Sequence, residues 1–380
     1  MSLDPELLAA IRGRAAEYDR TNSFPYEDLE DLKAAGHLRP RPLAEVVADQ
    51  RLLAAHAPAT ALAVNMHLVW VGVARVLAER GDHSLDWVLE EAEAGELFAF
   101  GISEPGNDQV MWDSMTRAER ADVNGESGWS FTGLKVFTSL APAWTRLGVF
   151  GRAETAEGPR LVHGFVSRAA DGGEFDPAPG VHHLDDWDAL GMRASQSRST
   201  RLEGAFVPDA RVARILPVGP NADPFIFGIF ANFLLGLAAV YAGVADRALE
   251  LAVEAVRRRT SLRTGKPYAD DPDFRWRIAD IALALDPLEY ELMTLARAVD
   301  AKADYGPTWF RRLTGAKHRA TETARVVVDQ ALRAAGGGAF RADAELTRLE
   351  RDVLAGIYHP SDTESVHATV ATALLGPASA

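Results

Sequence analysis

The chain has 380 residues, 47% of them hydrophobic and 25% charged, which is enough for two or three packed units with a sizeable core. Its net charge of −14 and isoelectric point of about 5.2 argue against nucleic acid or an anionic membrane as the main partner. The absence of cysteine excludes disulfides, thiolate metal sites and cysteine nucleophiles.

The N-terminal stretch is charged and helix-periodic, which is not the pattern of a secretory signal peptide. We interpret the chain as lacking a long uncharged apolar run, and therefore as lacking a membrane-spanning helix. A cytoplasmic protein with neither membrane nor nucleic acid as partner is the resulting expectation.

Residues 1–96 are predicted to be helical. The first helix begins at Asp4-Pro5, where a capping residue precedes proline at the first helical position. A second helix follows Phe24-Pro25-Tyr26. The later helices of this unit are predicted at Leu52–Ala78, as one buried element, and at Ser84–Gly95.

Residues 97–210 are predicted to form a central β domain, because short runs with strand character alternate with turn residues at close intervals. This pattern is typical of a β-barrel-like or sandwich domain. The predicted strands are Leu97–Ile102, Met115–Ala121, Trp129–Ser139, Arg146–Arg152, Leu161–Ser167 and Ser197–Val207.

Residues 211–380 are predicted to be helical again, which makes the fold class α+β. Asn232–Arg259 is long and Ala-rich, and two later segments repeat apolar residues every three or four positions, as helices of a bundle do. Pro287 is expected to kink or break the first of these segments. The second ends at Gly336-Gly337-Gly338, a strong stop for a helix.

Three motifs within residues 97–140 carry a resemblance to a known family. They are Ser103-Glu104-Pro105-Gly106, Thr132-Gly133-Leu134-Lys135 and Phe137-Thr138-Ser139. Their wording and spacing are similar to those of the acyl-CoA dehydrogenase superfamily, and the order of helical, β and helical units agrees over nearly the whole length. The resemblance implies the acyl-CoA dehydrogenase fold, with a C-terminal four-helix bundle and a flavin ring held by the loop and the strand.

The usual catalytic base of that family is missing. Dehydrogenases need a carboxylate to remove the α-proton of a thioester. The frame in which the family keeps its glutamate is present at 351–358, but the next residue is His359. The other known position matches 232–234, which offers no carboxylate either.

A second branch of the family is therefore favoured, the two-component flavin-dependent monooxygenases of the dibenzothiophene monooxygenase and amino-sugar N-oxygenase type. These take reduced flavin and O2 and act through a C4a-hydroperoxide, which needs hydrogen-bond donors and a dry pocket. The resemblance implies three catalytic residues: His359, Ser139 where dehydrogenases commonly carry asparagine, and His67 on the buried N-terminal helix. His359 and Ser139 would stabilise the hydroperoxide, while His67 would assist a proton transfer or orient the substrate.

The resemblance also implies how the cofactor, FAD or FMN, is bound. Ser103, Phe137 and Thr138 would hold the flavin ring. Contacts to the flavin phosphates would come from another subunit, which implies a dimer or homotetramer, and a flavin reductase is an expected partner. The residues matching those phosphate contacts are Arg259, Arg333, Gly336 and Gly337; no metal site is predicted.

Other interpretations stay open beside this one. The chain could be an acyl-CoA or acyl-carrier dehydrogenase with a misplaced base, or a non-catalytic scaffold of the same fold. His67 could be a hydrogen-bonded core residue, and Ser139 could cap a strand end. His182-His183, together with Asp185-Asp186, is interpreted as solvated loop charge.

Overall fold

The computed structural model describes residues 3–376, in which a mixed sheet lies between an N-terminal and a C-terminal group of helices. The first helix begins where predicted, because the Asp4 carboxylate accepts hydrogen bonds from the backbone N–H groups of Glu6 and Leu7. The N-terminal helices are α1 (Pro5–Thr21), α2 (Tyr26–Ala34), α3 (Leu43–Ala54), α4 (Pro58–Ala78) and α5 (Asp86–Glu93).

The prediction of one buried helix over Leu52–Ala78 is wrong in one respect. The chain leaves α3 at Ala54 and begins α4 at Pro58, so the predicted element spans two helices. Proline has no N–H to donate and is suited to the first turn of a new helix, which explains where the break falls.

The sheet contains the six predicted strands, with ends shifted by a few residues, and two strands that the sequence patterns missed. The strands are β1 (Phe98–Gly101), β2 (Arg117–Val123), β3 (Glu126–Thr138), β4 (Arg146–Thr155), β5 (Gly158–Ser167), β6 (Val181–His183), β7 (Arg198–Pro208) and β8 (Val212–Pro217). Their order in the sheet is β6-β7-β3-β2-β4-β5-β8, and β1 pairs in parallel with β4. The two missed strands are β6, of three residues, and β8, which pairs with β5 beyond residue 210.

The C-terminal helices follow the predicted apolar stripes. The helix continues through Pro287, so the break that was expected there does not occur. Pro287 lies on the exposed side, where a carbonyl that loses its helical partner can bind water. The helices are α6 (Pro224–Arg258), α7 (Pro272–Asp300), α8 (Thr308–Ala335), α9 (Glu345–Leu354) and α10 (Thr363–Leu375).

The interpretation that no long uncharged apolar run exists is also wrong. Residues 224–245 contain no Asp, Glu, Lys or Arg. By length and composition, α4 and α6 could each cross a membrane, but 89% and 83% of their most apolar windows are buried inside the protein. Such burial is typical of core helices, which pass the same test of length and hydropathy.

The two core helices α4 and α6 interlock through glycines and asparagines. A Cβ atom at Gly72 would lie 2.0 Å from the Asn232 amide oxygen, and one at Gly236 would lie 2.2 Å from that of Asn65. Only glycine leaves room for these amides. Asn232, at one of the two positions where the family keeps a base, therefore faces α4 and donates to the backbone oxygen of Gly228.

Two buried histidines differ sharply in their hydrogen bonding. His67 is bonded at both ring nitrogens: Nε2–H donates to the Leu38 carbonyl at 2.8 Å, and Nδ1 accepts from the Phe98 amide at 3.2 Å. His163 is equally buried, yet neither ring nitrogen has a partner among the described residues. It stacks on Phe150 with a centroid distance of 5.2 Å.

This contrast predicts that the same substitution costs much less stability at His163 than at His67. At pH 7.5, His163→Phe is expected to change the free energy of unfolding by less than about 1 kcal/mol, because no hydrogen bond is lost. His67→Phe is expected to cost about 2–4 kcal/mol, because the Leu38 carbonyl and the Phe98 amide lose their partner. Urea unfolding of the two variants measures both values, and equal costs would contradict the assignment.

The same pair predicts a dependence on pH. Burial lowers the pKa of His163 to about 3 and that of His67 to about 4, from 6.5. Between pH 6.5 and these values the unfolded chain binds more protons than the native one, so each ring lowers stability as the pH falls. Each phenylalanine variant should therefore lose less stability than the wild type between pH 7.5 and pH 5.5.

Candidate functional site

The end of β3 is conformationally unusual. Phe137 has φ +57° and Leu140 has φ +68°, left-handed values that bulky residues rarely adopt. The facing loop contains two more such residues, Met192 and Gln196, and the Leu140 amide donates to the backbone oxygen of Ser195 between them. Strained backbone of this kind concentrates at functional sites, which makes these two segments the candidate site.

The predicted ring-holding residues lie together at this strand end. The Val136 amide donates to the Ser103 backbone oxygen at 2.9 Å, which fixes the loop after β1 against β3. The half-buried Ser103 hydroxyl has no partner among the described residues. The Phe137 side chain is 55% exposed and meets Trp187 edge to face. A free hydroxyl and an exposed aromatic ring suit the edge and the face of a flat heterocycle.

A buried ion pair that the sequence patterns did not predict holds this arrangement in place. The Lys135 ammonium lies 2.7 Å from the Glu104 carboxylate, and neither side chain is exposed to solvent. The same ammonium donates to the Phe150 carbonyl at 2.8 Å and lies over the Phe150 ring. Both charged residues belong to motifs recognised in the sequence, but only the fold shows that they pair.

The pair remains charged near neutral pH. Burial acts to raise the pKa of Glu104, but the Lys135 charge and several hydrogen bonds outweigh it and lower this pKa to about 2. Burial lowers the pKa of Lys135 to about 8, against the opposing effect of Glu104. Besides Lys135, the carboxylate accepts hydrogen bonds from Asn107, Ser114, Met115 and Thr116.

Ser139 begins a chain of buried hydroxyls. Its Oγ lies 2.6 Å from Ser197 Oγ, which lies 2.7 Å from Ser195 Oγ. The three side chains are between 0 and 5% exposed. Ser139 therefore does more than end a strand, since its hydroxyl is linked to the strained loop on the other side of the candidate site.

Thr138, the neighbouring residue, begins a second buried chain. Its hydroxyl accepts a hydrogen bond from Thr200, which is bonded in turn to His183 Nδ1. The interpretation of His183 as solvated loop charge is therefore wrong. Its side chain is 4% exposed because β6 packs it against Trp144, whereas His182 points the other way and pairs with Asp176.

His359 lies after α9, half-buried between two helices. Its Nδ1 is 2.9 Å from the hydroxyl of the buried Tyr241 on α6, and the Lys317 ammonium donates to its backbone oxygen. Burial first, and the charge of Lys317 second, lower the pKa of His359 to about 3, so the ring is neutral at pH 7. Nε2 has no partner among the described residues and can serve a ligand.

The buried carboxylate nearest to His359 in sequence is Asp352, which patterns alone did not single out for a role. Burial raises its pKa to about 6. Its Oδ1 accepts a hydrogen bond from the Met192 amide at 2.6 Å, so it supports the strained loop of the candidate site. This use of the carboxylate accounts for its burial without a catalytic role.

His67 is not brought to this site by any hydrogen bond of the described residues. Both of its ring nitrogens are bonded to backbone groups in the core, and its side chain is fully buried. This geometry favours the structural alternative, a hydrogen-bonded core histidine.

Two of the predicted phosphate contacts, Arg259 and Gly336, lie together in a second cluster. Arg259 Nη1 donates to the carbonyls of Ala334 and Ala335 at the end of α8. Gly336 lies against this guanidinium and has φ +75°, a backbone conformation that favours glycine. A Cβ atom at Gly337 would meet no atom within 4 Å.

Arg333 does not join the Arg259 cluster. Its exposed guanidinium pairs with Asp329 one turn earlier on α8. Arg259, for its part, keeps Nε and Nη2 without partners among the described residues. The phosphate roles of both arginines remain predictions.

The described residues fit the ring end of a flavin. Ser103 offers an unpartnered hydroxyl and Phe137 an exposed aromatic face. Thr138, predicted as a third ring-holding residue, is fully buried and its hydroxyl faces Thr200 in the core, so its side chain does not reach this surface. Ser103 and Phe137 would hold the edge and the face of the ring, and Ser139 lies beside them. His359 is the candidate for the substrate side, since its free nitrogen is not occupied by the fold.

Comparison with known proteins agrees with the architecture. Residues 235–361 match the family described as acyl-CoA dehydrogenase, C-terminal domain. The chain is 26% identical to the putative acyl-CoA dehydrogenase YdbM of Bacillus subtilis, an alignment covering 93% of this chain and 90% of YdbM. It is 29% identical to the L-evernosamine nitrososynthase of a Micromonospora species, with 92% and 83% covered.

A solved structure is similar over nearly the whole chain. KijD3, in complex with FMN and dTDP-3-amino-2,3,6-trideoxy-4-keto-3-methyl-D-glucose, superposes with a TM-score of 0.82 at 25% identity, covering 98% of this chain and 92% of KijD3.

The buried ion pair predicts a large and non-additive loss of stability. Lys135→Met and Glu104→Gln are each expected to cost about 3–5 kcal/mol, because each leaves a partner buried without its counter-charge. The double variant should cost clearly less than the sum of the two. Urea unfolding followed by circular dichroism measures these values.

The exposed pair of Arg120 and Asp209 provides the control for this prediction. Arg120→Met removes a cation from an ion pair that water surrounds, so its effect should be far smaller than that of Lys135→Met. Similar losses in both variants would contradict a special role for the buried pair.

Proposed function

We propose that the chain, which has the acyl-CoA dehydrogenase fold and matches that family's C-terminal domain over residues 235–361, is a flavin-dependent monooxygenase. It would receive reduced FMN or FAD from a separate reductase and act on a small molecule. When bound, reduced flavin supplies the two electrons that allow one oxygen atom of O2 to be transferred to the substrate and the other to be reduced to water.

The observation that carries the proposal is the replacement of the base. His359 stands where a dehydrogenase keeps its glutamate, and its hydrogen-bond partners among the described residues are Tyr241 and Lys317. At the alternative position, the Asn232 amide is committed to its own helix. A thioester α-proton would have no carboxylate to accept it at either position, whereas oxygen transfer needs none.

The His359 ring, which is neutral at pH 7, can serve as a hydrogen-bond donor or acceptor. If the Tyr241 hydroxyl donates to Nδ1, the ring proton lies on Nε2 and can be donated to a ligand. If Nδ1 donates to the tyrosine, Nε2 is left as an acceptor. Ser139 would supply a hydroxyl on the flavin side, as a second hydrogen-bond donor beside His359.

The relatives narrow the reaction further. Similarity to a nitrososynthase, and to KijD3 with its amino-sugar ligand, favours an amine nitrogen as the oxygen acceptor. The same similarity favours FMN among the two flavins, since KijD3 binds FMN. A cytoplasmic dimer or tetramer, with Arg259, Arg333, Gly336 and Gly337 facing a neighbour's flavin phosphates, belongs to the proposal.

The dehydrogenase remains the second candidate because of the similarity to YdbM. It would need a carboxylate from outside the two family positions. It predicts that oxidised flavin is held tightly and is bleached by an acyl thioester without oxygen. A scaffold protein predicts that neither oxidised nor reduced flavin binds.

Rapid mixing tests the proposal. The protein is loaded with reduced FMN under anaerobic conditions and mixed with oxygenated buffer, and the return of oxidised-flavin absorbance is followed. The wild type should delay this return well beyond the time that free flavin needs. Ser139→Ala and His359→Ala should shorten the delay about 10- to 100-fold, because each removes a donor from the site.

His182→Ala is the matched control for the histidine, since it removes an exposed ring that pairs with Asp176. Its delay should equal that of the wild type. Immediate reoxidation in the wild type, combined with bleaching of oxidised flavin by acyl-CoA thioesters, would replace the monooxygenase with the dehydrogenase.

A further inference from the structure

The side chain of His359 is held by one hydrogen bond whose direction can be assigned. Nδ1 lies 2.9 Å from the Tyr241 hydroxyl on α6. The Tyr241 side chain is fully buried, and no other described residue forms a hydrogen bond with its hydroxyl. Burial first, and the charge of Asp352 second, raise the pKa of Tyr241 well above 10, so the hydroxyl keeps its proton near neutral pH.

The Tyr241 proton therefore has a single acceptor, His359 Nδ1. The opposite direction, with Nδ1–H donating to the tyrosine oxygen, would leave a buried hydroxyl proton without an acceptor, which costs free energy. A neutral imidazole that accepts at Nδ1 carries its proton on Nε2. The side chain is half-buried rather than enclosed, and Nε2 has no partner among the described residues. A ligand at this edge of the ring meets an N–H donor.

A buried ammonium fixes the backbone that carries the ring. The Lys317 side chain on α8 is 1% exposed. It donates to the carbonyl oxygens of Gly356 and Ser361 at 2.9 Å and to that of His359 at 2.8 Å. These bonds use all three protons of the ammonium. The segment 356–361 is therefore wrapped around one charge, with His359 inside the wrapped stretch.

Gly356 brings this segment against both helices. A Cβ atom at Gly356 would lie 2.5 Å from Thr321 Cγ2 on α8 and 3.0 Å from Tyr241 Cζ on α6. Glycine allows the backbone this close approach. Tyr241 thus contacts the start of the segment through its ring and His359 through its hydroxyl.

The charge of Lys317 also acts on the imidazole. Burial first, and this charge second, lower the pKa of His359 to about 3 from 6.5. Lys317 is itself charged at pH 7, because burial lowers its pKa only to about 8. The carboxylates that act on Lys317 or Tyr241 form no hydrogen bond to either residue or to His359; they are Glu322, Asp352 and Asp362. No anion in hydrogen-bond contact among the described residues would stabilise an imidazolium.

We propose that Tyr241 and Lys317 are positioning residues, which present His359 to the substrate side as a neutral hydrogen-bond donor through Nε2–H. Such a donor fits an oxygen atom or an unprotonated nitrogen of a ligand, whereas it does not fit an N–H group. The inference rests on the proposed function in taking His359 as the residue that faces the ligand, and it selects one of the two tautomers of that ring.

The first test needs no flavin. Protein labelled with ¹⁵N at histidine is studied by long-range proton–nitrogen NMR between pH 5 and pH 8, with the His359 signals assigned by their loss in His359→Gln. The wild-type ring should stay neutral over this range and carry its proton on Nε2. A ring that takes up a second proton near pH 6.5, or that carries its proton on Nδ1, would overturn the inference.

Lys317→Met tests the role of the ammonium by the same measurement. It removes the charge and frees three carbonyls to bind water, so the pKa of His359 should rise above about 5 and proton uptake should become visible. Lys266→Met, which removes an exposed lysine, is the control and should leave the His359 signals unchanged. An unchanged pKa in the folded Lys317→Met variant contradicts the inference. The wild-type spectrum and Tyr241→Phe decide the question even where this variant does not fold.

Tyr241→Phe keeps the aromatic ring and removes only the donor to Nδ1. In the rapid-mixing experiment with reduced FMN, it should shorten the delay about three- to tenfold, the effect of one hydrogen bond. In a His359→Ala background the same change should have no effect, because Tyr241 acts through His359. Equal effects in both backgrounds would overturn the positioning role. Tyr290→Phe, on the exposed side of α7, is the matched control and should behave as the wild type does.

The inference and the proposed function can fail separately. A wild type that shows no delay removes the oxygenase, while the tautomer and the pKa of His359 are still measured in the flavin-free protein. A wild type that shows the delay but carries the His359 proton on Nδ1 keeps the oxygenase and removes the inference.

Discussion

The ion pair of Lys135 and Glu104 is the interaction on which the candidate site depends. Each charge is fully buried and would be strongly unfavourable alone, so the pair is stable only while both partners and their further hydrogen bonds are in place. Lys135 lies on β3 and donates to the Phe150 carbonyl on β4. Glu104, in the loop that follows β1, accepts hydrogen bonds from Lys135 and from other residues of the same loop. One salt bridge thus joins three segments at the sheet end.

The position of the predicted flavin-binding groups follows from this junction. Glu104 is the neighbour of Ser103, and Lys135 comes two residues before Phe137. Once the ion pair forms, the bond from the Val136 amide to the Ser103 carbonyl closes the gap between loop and strand. The strained backbone beyond Val136 is held from the other side by the loop around Ser195. Rigid support of this kind is what allows a strained segment to persist.

Local patterns predicted most of the elements because their causes are local. The cap at Asp4 and the apolar stripes of the C-terminal helices lie within a few residues of the structure they specify. The three-residue β6 and the edge strand β8 were missed, since pairing with β7 and β5 defines them.

Side-chain roles were harder to predict than the elements. Ser103, Phe137 and Thr138 were found together at the strand end, as the motifs suggested. His183 was misread, because the chain around 182–186 is polar in sequence and only the fold buries one of its two histidines against Trp144. His67 was singled out by its helix, but backbone groups from distant segments occupy both of its nitrogens. Sequence identifies which residues could react; only the fold shows which already have partners.

The two hydroxyl chains at the strand end differ in one physical respect. The chain through Thr138 starts at an indole, an obligate donor, so its direction is fixed. The chain from Ser139 through Ser197 to Ser195 contains only hydroxyls, each able to donate or accept, so it can reverse its direction without moving an atom heavier than hydrogen.

This difference suits adjacent residues to different tasks. A fixed chain is suited to holding the fold, because each of its hydrogen bonds always joins the same donor to the same acceptor. A reversible chain is suited to a step in which a proton changes place, because the group facing the reaction can donate before it and accept after it. The fixed chain through the fully buried Thr138 therefore holds the core of the sheet in place, whereas the chain from Ser139 is the one suited to a site where a proton moves.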